Sequence, residues 1–353
     1  MQVRFGVRIP FTGPVCSSER LRAAAMTAES LGFDAVFAQD HIHKTFERHP
    51  QNPMASGSIH HPESTREPVM LETLTSMAFL AGVTERIELV TAVTPVPLRD
   101  PIILAKQLAT VDAHSNGRLV FGVGVANKTD RDEFTAMNVP FRTYSERYAL
   151  AGEYIEAARQ IWEEPAATYH GRYVNFDNLV IYPKPLRRIP VWVGAASLSG
   201  GPDRPPVRFA LDSCDGVMLH AIASPDEVAQ SVADFTTTAT AYGRKLDGFT
   251  WCAQRRVGIG RTMEDAERHV AWMKEEQVEM WKYVGHLFDR GGEGTDLSHR
   301  MAVVGTPEHV ISNLQSYVTA GATYIGIAFT YASFESLLEQ MEIFSREVIP
   351  AFR

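Results

Sequence analysis

The spacing of hydrophobic residues changes repeatedly along the chain, and it changes most cleanly between residues 67 and 126. A segment with helical spacing at 69–80 is followed by a β-branched run at 87–93, a second helical segment at 101–113 and an apolar run at 119–125. This order is typical of a βαβ crossover with a preceding helix, and such a unit pairs its strands in parallel.

The same alternation extends over the whole chain and predicts eight strands, each followed by helical spacing. The strands are predicted at 3–9, 34–38, 87–93, 119–125, 190–195, 215–219, 249–259 and 323–328. Because no hydrophilic linker divides them, repeated right-handed crossovers predict a single α/β domain over 1–353, a (β/α)8 TIM barrel with insertions. A doubly wound open sheet is the alternative, but it needs a reversal of strand order that the pattern does not show.

Three segments do not fit the simple repeat. Residues 39–68 form an extended loop after the second strand, either a lid or a partly disordered segment. Residues 164–189 read as a hairpin insertion, and residues 263–289 read as one long helix.

Composition excludes several classes of protein. The formal net charge is −8 without a long basic run, which argues against a nucleic-acid or anionic-membrane surface. No apolar run approaches the ~18 residues of a membrane span. Cys16, Cys214 and Cys252 are too widely spaced for a disulfide framework or a metal knuckle. The first ten residues lack the apolar core of a signal peptide, so the sequence predicts a cytoplasmic protein.

Active sites of TIM barrels lie at the carboxyl ends of the strands, so the residues there are candidates. They comprise one acid, three histidines and several small residues, which let a large planar or phosphorylated ligand approach the backbone closely. The candidates are Phe11, Asp40, His41, His43, Thr91, Ala92, Val125, Ala126, Asn127, Gly194, Ala195, Ala196, Ser197 and His220.

Three patterns among these residues have alternative interpretations. His41 and His43, with His220, could bind a metal, but an isolated His-x-His pair is weak, and we expect no metal. The glycines at 122 and 124 do not complete a dinucleotide fingerprint and favour tight packing, whereas 194–197 could cradle a phosphate. The pair Asp40–His41 is either structural or a proton donor and acceptor beside a cofactor ring.

Longer motifs resemble the bacterial luciferase-like superfamily over nearly the whole chain. They lie at 28–41, 67–68, 84–89, 99–106, 117–124, 133–134, 147, 183–185, 190–194, 215–216 and 305–322. The resemblance implies a (β/α)8 oxidoreductase that binds reduced FMN or coenzyme F420 across the carboxyl rim. The chain lacks the long insertion of several FMN monooxygenases, which favours the F420-using branch.

The resemblance also implies a role for each group of candidates. Asp40 and His41 would lie against the cofactor ring, with His41 as proton donor or acceptor oriented by Asp40. Thr91–Ala92 would be a cis non-proline peptide behind the ring, and 125–127 with 194–197 would hold the ribityl chain and phosphate. Phe11, His43 and His220 would face the substrate.

The expected function is hydride transfer between F420 and a small organic substrate. One alternative is an FMNH2-dependent monooxygenase that uses O2, and another is a non-catalytic flavin-binding protein. Relatives that oxidise sugar phosphates carry an acid where Asn127 stands, so that substrate class is not expected. Expected partners are a second copy in a homodimer and a flavin reductase or F420-reducing dehydrogenase as cofactor supplier.

Overall fold

The computed structural model describes residues 2–13, 15–42, 70–271 and 302–353, and within them the chain forms the predicted parallel barrel. The strands are β1 (Arg4–Arg8), β2 (Ala35–Ala38), β3 (Glu88–Thr91), β4 (Thr94–Pro95), β5 (Leu119–Gly124), β6 (Ala167–His170), β7 (Asn175–Leu179), β8 (Val191–Ala195), β9 (Gly216–Leu219), β10 (Thr250–Ile259), β11 (Val303–Gly305) and β12 (Tyr324–Phe329). The helices are α1 (Ser18–Ser30), α2 (Thr73–Ala81), α3 (Pro101–His114), α4 (Arg131–Ala136), α5 (Tyr144–Glu163), α6 (Pro205–Ser213), α7 (Pro225–Ala241), α8 (Met263–Val270), α9 (Pro307–Thr319) and α10 (Phe334–Ile343).

Eight parallel strands close the barrel in the order β1, β2, β3, β5, β8, β9, β10, β12, and β12 pairs again with β1. This confirms the predicted (β/α)8 fold and excludes the open sheet. The predicted repeat missed β11, which pairs with β10 outside the ring, and β4, which pairs with β5.

Side chains alternate between the barrel interior and the layer of helices, as the pleat requires. Eight buried residues form the interior cluster, two from β2, none from β1 and one from each of the other six barrel strands: Ala35, Phe37, Val90, Val120, Trp192, Met218, Cys252 and Tyr324. The larger apolar cluster lies between the strands and the helices. Side chains therefore fill the interior below the mouth, and a ligand site is expected at the carboxyl ends of the strands.

Local chemistry explains where the helices begin. Ser17, Asp100 and Ser224 each accept a hydrogen bond from a backbone N–H in the first turn of α1, α3 and α7. Pro101 follows Asp100 at the first helical position, where a missing N–H costs nothing. No helix in the described ranges is long and apolar enough to cross a membrane.

Several predicted boundaries differ from the observed ones. Strand three ends at Thr91 because the backbone leaves the ladder there, and helix two begins at Thr73, where Glu72 caps it. Strands β6 and β7 form an antiparallel pair within 164–189. Residues 43–68 of the extended loop, and the helix predicted beyond residue 271, lie outside the described residues.

Candidate active site

Asp40 follows β2 and is buried at the rim of the barrel. Nη2 of Arg99 donates to its Oδ1 at 2.7 Å and also lies 3.5 Å from Oε1 of Glu72. The hydroxyl of Tyr154 donates to the carbonyl of Arg99 at 3.0 Å, which fixes the backbone before α3. Burial raises the pKa of the Asp40 carboxyl from its ordinary value, and the Arg99 guanidinium opposes that effect.

Three buried polar atoms lie in or beside the Asp40–Arg99 ion pair. Oδ2 of Asp40, Oγ1 of Thr94 and Nη1 of Arg99 are buried, and none makes a hydrogen bond of good geometry within the described part of the chain, although the nearby Thr94 hydroxyl helps to lower the pKa of Asp40. Buried polar groups are nearly always paired in folded proteins. A polar ligand at this rim would satisfy them.

His41 is held by an acid from the other side of the rim. Its Nδ1 lies 3.2 Å from Oε2 of the buried Glu133 on α4, and the backbone N–H of Ile42 donates to Oε1 of the same carboxylate. The expectation that Asp40 orients His41 is therefore wrong, because Asp40 is engaged with Arg99. Glu133 favours the tautomer with the proton on Nδ1, which leaves Nε2 as an acceptor.

The cis peptide bond after β3 lies one residue later than predicted. The cis non-proline peptide joins Ala92 and Val93, not Thr91 and Ala92. Thr91 instead ties β3 to β5, since its Oγ1 donates to the carbonyl of Gly122 at 3.0 Å and accepts from the N–H of Gly122 at 2.9 Å.

Three glycines make room for this segment. A Cβ at Gly122 would lie 1.8 Å from the carbonyl oxygen of Thr91, and one at Gly124 would lie 2.5 Å from Cγ2 of Val93. A Cβ at Gly194 would lie 3.0 Å from Cγ1 of Val93. The glycine spacing thus reflects close packing of three strands, as the sequence interpretation favoured over a dinucleotide fingerprint.

The segment after β5 is fixed by Arg147 of α5. Its Nε donates to the carbonyl of Val125 at 2.7 Å and its Nη2 to that of Ala126 at 3.3 Å. Ala126 has a φ of 65°, in the left-handed region, and the N–H of Asn127 donates to the carboxylate of Asp130 at 2.7 Å. Ala126 is partly exposed and Asn127 is exposed, so their surfaces face a ligand or solvent.

The shelf after β8 consists of Gly194, Ala195, Ala196 and Ser197, all partly or fully exposed. The N–H of His220, which follows β9, donates to the carbonyl of Ala195 at 3.2 Å. The structure therefore places the backbone of His220, which was expected to face the substrate, beside this shelf.

Two predicted substrate contacts have a different outcome. Phe11 is 1% exposed and belongs to the core between strands and helices, so it presents no surface to a substrate. His43 lies outside the described residues.

A possible cation site overlaps the candidate histidine. His41, Asp130 and Glu133 each offer a ligand atom within 4.8 Å of the others. Both carboxylates already accept backbone N–H groups, from Asn127 and Ile42 respectively. We therefore assign these acids to holding the rim backbone and His41.

The rim fits a flavin-sized or deazaflavin-sized group. Near β2 and β4 the rim offers the buried polar atoms of Asp40 and Thr94, and at the ends of β5 and β8 it offers small, partly exposed residues that leave space for a planar ring. Asp40, Ala92, the segment 125–127 and the shelf 194–197 would hold such a group.

The fold is a (β/α)8 barrel with its candidate site at the carboxyl ends of the strands. The chain belongs to the luciferase-like monooxygenase family, whose model matches residues 3–324, and this confirms the resemblance seen in the sequence.

Curated relatives include enzymes that use each of the two expected cofactors. An F420-dependent glucose-6-phosphate dehydrogenase of Intrasporangium calvum is 25% identical over 347 residues, which cover 92% of each chain. An FMNH2-dependent dimethylsulfone monooxygenase of Pseudomonas putida is 25% identical over 307 residues, or 80% of this chain and 78% of that one. An uncharacterised protein of Mycobacterium tuberculosis has a higher identity, 38%, but over only 175 residues. This alignment covers 49% of this chain and 60% of that protein.

A solved structure supports the fold. An F420-dependent secondary alcohol dehydrogenase in complex with an F420–acetone adduct superposes with a TM-score of 0.77 over the full length of both chains, at 18% identity.

Sequence reasoning missed the partners of the two central residues. Arg99, Glu133 and Arg147 all stand within the motifs that carry the family resemblance, yet none received a role. Each is a charged residue in an apolar segment or a short helix. That feature of the sequence could have identified them as site residues.

Proposed function

We propose that this protein is an oxidoreductase that transfers a hydride between coenzyme F420 and a small organic substrate. The observation that carries the proposal is His41, held by the buried Glu133 at the mouth of a barrel whose rim fits a deazaflavin. The match to F420-dependent relatives over nearly the whole chain supports F420 over FMN.

When bound, F420 supplies a ring carbon that accepts or donates a hydride. His41 has a complementary task, because oxidation of an alcohol to a carbonyl releases the hydroxyl proton. Nε2 of His41 accepts that proton, and the Glu133 carboxylate stabilises the imidazolium that forms. In the reverse direction, His41 returns the proton to the oxygen.

Asp40 and Arg99 have a separate role in the proposal. Nη1 of Arg99 would donate a hydrogen bond to the polar edge of the cofactor, and Oδ2 of Asp40 would accept one from it. Arg147 keeps 125–127 in the conformation that faces the cofactor tail.

The test is a parallel titration of the purified protein with F420 and FMN, each in both redox states, followed by protein fluorescence. We expect saturable F420 binding at least tenfold tighter than FMN binding. Tight FMN binding without F420 binding, together with O2 consumption when a flavin reductase is supplied, would establish the monooxygenase alternative. Binding without turnover of any alcohol, aldehyde or ketone would favour a non-catalytic flavin-binding protein.

Turnover is then compared between His41→Gln and His170→Gln. His170 is an exposed histidine on β6, where it pairs with Asp177 at 3.0 Å. We expect only the first substitution to abolish hydride transfer, with F420 affinity preserved in both.

The proposal includes a cytoplasmic homodimer. The cysteines Cys16, Cys214 and Cys252 are free and buried, which suits a reducing compartment. Phe79 on α2 and Ile103 on α3 are 42% and 55% exposed on two helices that pack against each other. A second copy that covers this face would remove both from water.

A further inference from the structure

Arg8, the last residue of β1, faces the inside of the barrel. Strand pairing places it opposite Phe37, which belongs to the interior cluster. Gly6, two residues earlier, shares that face, since a Cβ there would lie 2.1 Å from the Phe37 ring. Paired residues of parallel strands point to the same face, so the Arg8 guanidinium lies at the mouth.

Arg256 on β10 has the same orientation. Cys252 belongs to the interior cluster, and a Cβ at Gly326 would lie 3.4 Å from Cγ of Gln254 and 3.6 Å from Sγ of Cys252. Residues 252, 254 and 256 therefore share the inner face, with Arg256 nearest the carboxyl end.

One small residue stands between the two arginines. Strand β12 pairs with both β1 and β10, and Ile327 pairs with Val7 on one side and Arg255 on the other. The next row thus contains Arg8, Ala328 and Arg256. With strands ~4.8 Å apart, the two arginine Cα atoms are about 10 Å apart, with a methyl group between them.

The electrostatics of this row favour an anion. Burial and, to a smaller extent, the positive charge of Arg256 lower the pKa of Arg8 to about 10, with Tyr331 acting in the opposite direction. The Arg8 side chain has no hydrogen-bond or ion-pair partner among the residues of the described ranges. A cation kept near a second cation, without an acid of its own, is costly unless a ligand compensates it. In a chain with net charge −8, such a pair also concentrates positive potential at the mouth.

The two arginines flank β12, which lies across the ring from β5. Strand β12 is four strands from β5 in either direction round the ring, and β5 leads into 125–127. A group bound between Arg8 and Arg256 therefore lies across the barrel mouth from 125–127, one of the two segments proposed to hold the cofactor tail.

We propose that Arg8 and Arg256 bind an acidic group, a carboxylate or a phosphate, on the substrate. The inference rests on the proposed function and adds the substrate class: a small organic acid or phosphate ester whose reacting carbon lies between the arginines and His41. Two guanidinium groups that flank an alanine can grip such a group from both sides.

The first experiment needs no cofactor and no known substrate. Inorganic phosphate and acetate are titrated calorimetrically into the full-length protein and into Arg8→Gln, Arg256→Gln and Arg22→Gln. Arg22 is exposed on α1, so its variant controls for the loss of one positive charge. We expect one saturable anion site that is weakened at least tenfold by either mouth substitution and unchanged by Arg22→Gln. Equal binding in all four proteins, or no saturable binding, overturns the proposal.

The thermal midpoint without anion provides a second readout. Arg8→Gln should melt at the same temperature or higher, because it removes an uncompensated charge. A marked fall in the midpoint of Arg8→Gln would mean that Arg8 is a structural residue and would overturn its assignment to a ligand.

Titration with F420 distinguishes the two possible sources of the anion. The cofactor also carries acidic groups, so a tenfold loss of F420 affinity in Arg8→Gln would assign the site to the cofactor and overturn the substrate assignment. Unchanged F420 affinity supports the substrate. If the unmodified protein fails to bind F420 while the anion site persists, the proposed cofactor fails and the anion-binding result stands on its own.

Discussion

The carboxylate of Asp40 is bound by the guanidinium of Arg99 at 2.7 Å, and not by the imidazole of its neighbour His41. Consecutive residues thus join two separate clusters: Asp40 belongs with Arg99 and Glu72, and His41 belongs with Glu133. The first cluster connects β2 to the start of α3, and the second connects it to α4. Each cluster predicts its own response to substitution.

Arg99→Ala should destabilise the protein by about 3 kcal/mol at neutral pH, because it leaves Asp40 buried without its counter-ion. Urea unfolding followed by circular dichroism measures the change. The control is Arg208→Ala, which removes an exposed ion pair with Asp212 and should leave stability unchanged within error. Equal, small effects of the two substitutions would contradict a stabilising role of Arg99.

The destabilisation by Arg99→Ala should diminish as the pH falls. Burial already raises the folded-state pKa of Asp40 above its ordinary value of 3.8, and loss of Arg99 removes an effect that lowers it. A group with a raised folded-state pKa binds its proton more readily when folded, so the folded state gains stability as the pH falls through that pKa. Urea midpoints of the variant and the parent should therefore converge between neutral pH and about pH 4. A difference that stays constant over this window would place the effect of Arg99 elsewhere.

Glu133→Gln should change the tautomer of His41. With the carboxylate present, we expect the proton on Nδ1, and with the amide we expect a mixture of both tautomers. Long-range 15N correlation spectra of the imidazole report this directly and need no substrate. Asp132→Asn, at the exposed neighbouring position, is the control and should leave the spectrum unchanged.

Glu133→Gln should also slow hydride transfer, because Glu133 acts through His41. The loss should remain below the ~10²–10⁴-fold that a general acid–base residue contributes, with F420 affinity unchanged. In a protein that already carries His41→Ala, Glu133→Gln should cause no further loss of turnover. Additive losses in the double variant would show that Glu133 acts independently of His41.

The sequence predicted the barrel and the rim but not the contacts within the rim. The period of hydrophobic residues is a local property, so the sequence alone predicts the strands. Because a closed parallel barrel brings the carboxyl end of every strand to one face, Asp40, His41 and the shelf 194–197 could be assigned to the rim. The partners of Asp40 and His41 stand 59 and 92 positions away, and their pairing depends on side-chain directions that periodicity does not encode.

Arg8, in contrast, could have been identified from the sequence pattern of β1. Residues 4, 6 and 8 alternate with buried apolar residues along β1, so one face of this strand carries two arginines and a glycine. Arg4 at the amino end pairs with Glu88 at 2.8 Å, whereas Arg8 at the carboxyl end has no such acid among the described residues. That asymmetry would have identified Arg8 as a candidate for the catalytic face.

Ile103→Glu should convert the proposed homodimer to a monomer, because a buried carboxylate would be introduced into the contact at α3. Light scattering coupled to size-exclusion chromatography measures the molar mass. Met26→Glu is the matched control, since Met26 is 44% exposed on a different helix, α1. If both variants keep the mass of the parent, the contact does not involve α3.

Gly122→Ala should prevent folding or cost at least the ~1–3 kcal/mol typical of an overpacked core. The new Cβ would lie 1.8 Å from the carbonyl oxygen of Thr91 and 2.4 Å from Cε of Met218, and the backbone of β3 cannot move without breaking both hydrogen bonds between Thr91 and Gly122. Gly152→Ala in α5 is the matched control, because a Cβ there meets no atom within 4 Å. It should stabilise the protein by about 1 kcal/mol through helix propensity. Yield of soluble protein and the urea midpoint measure both variants. A stable, well-folded Gly122→Ala would show that β3 and β5 are not held as closely as the Thr91–Gly122 contacts require.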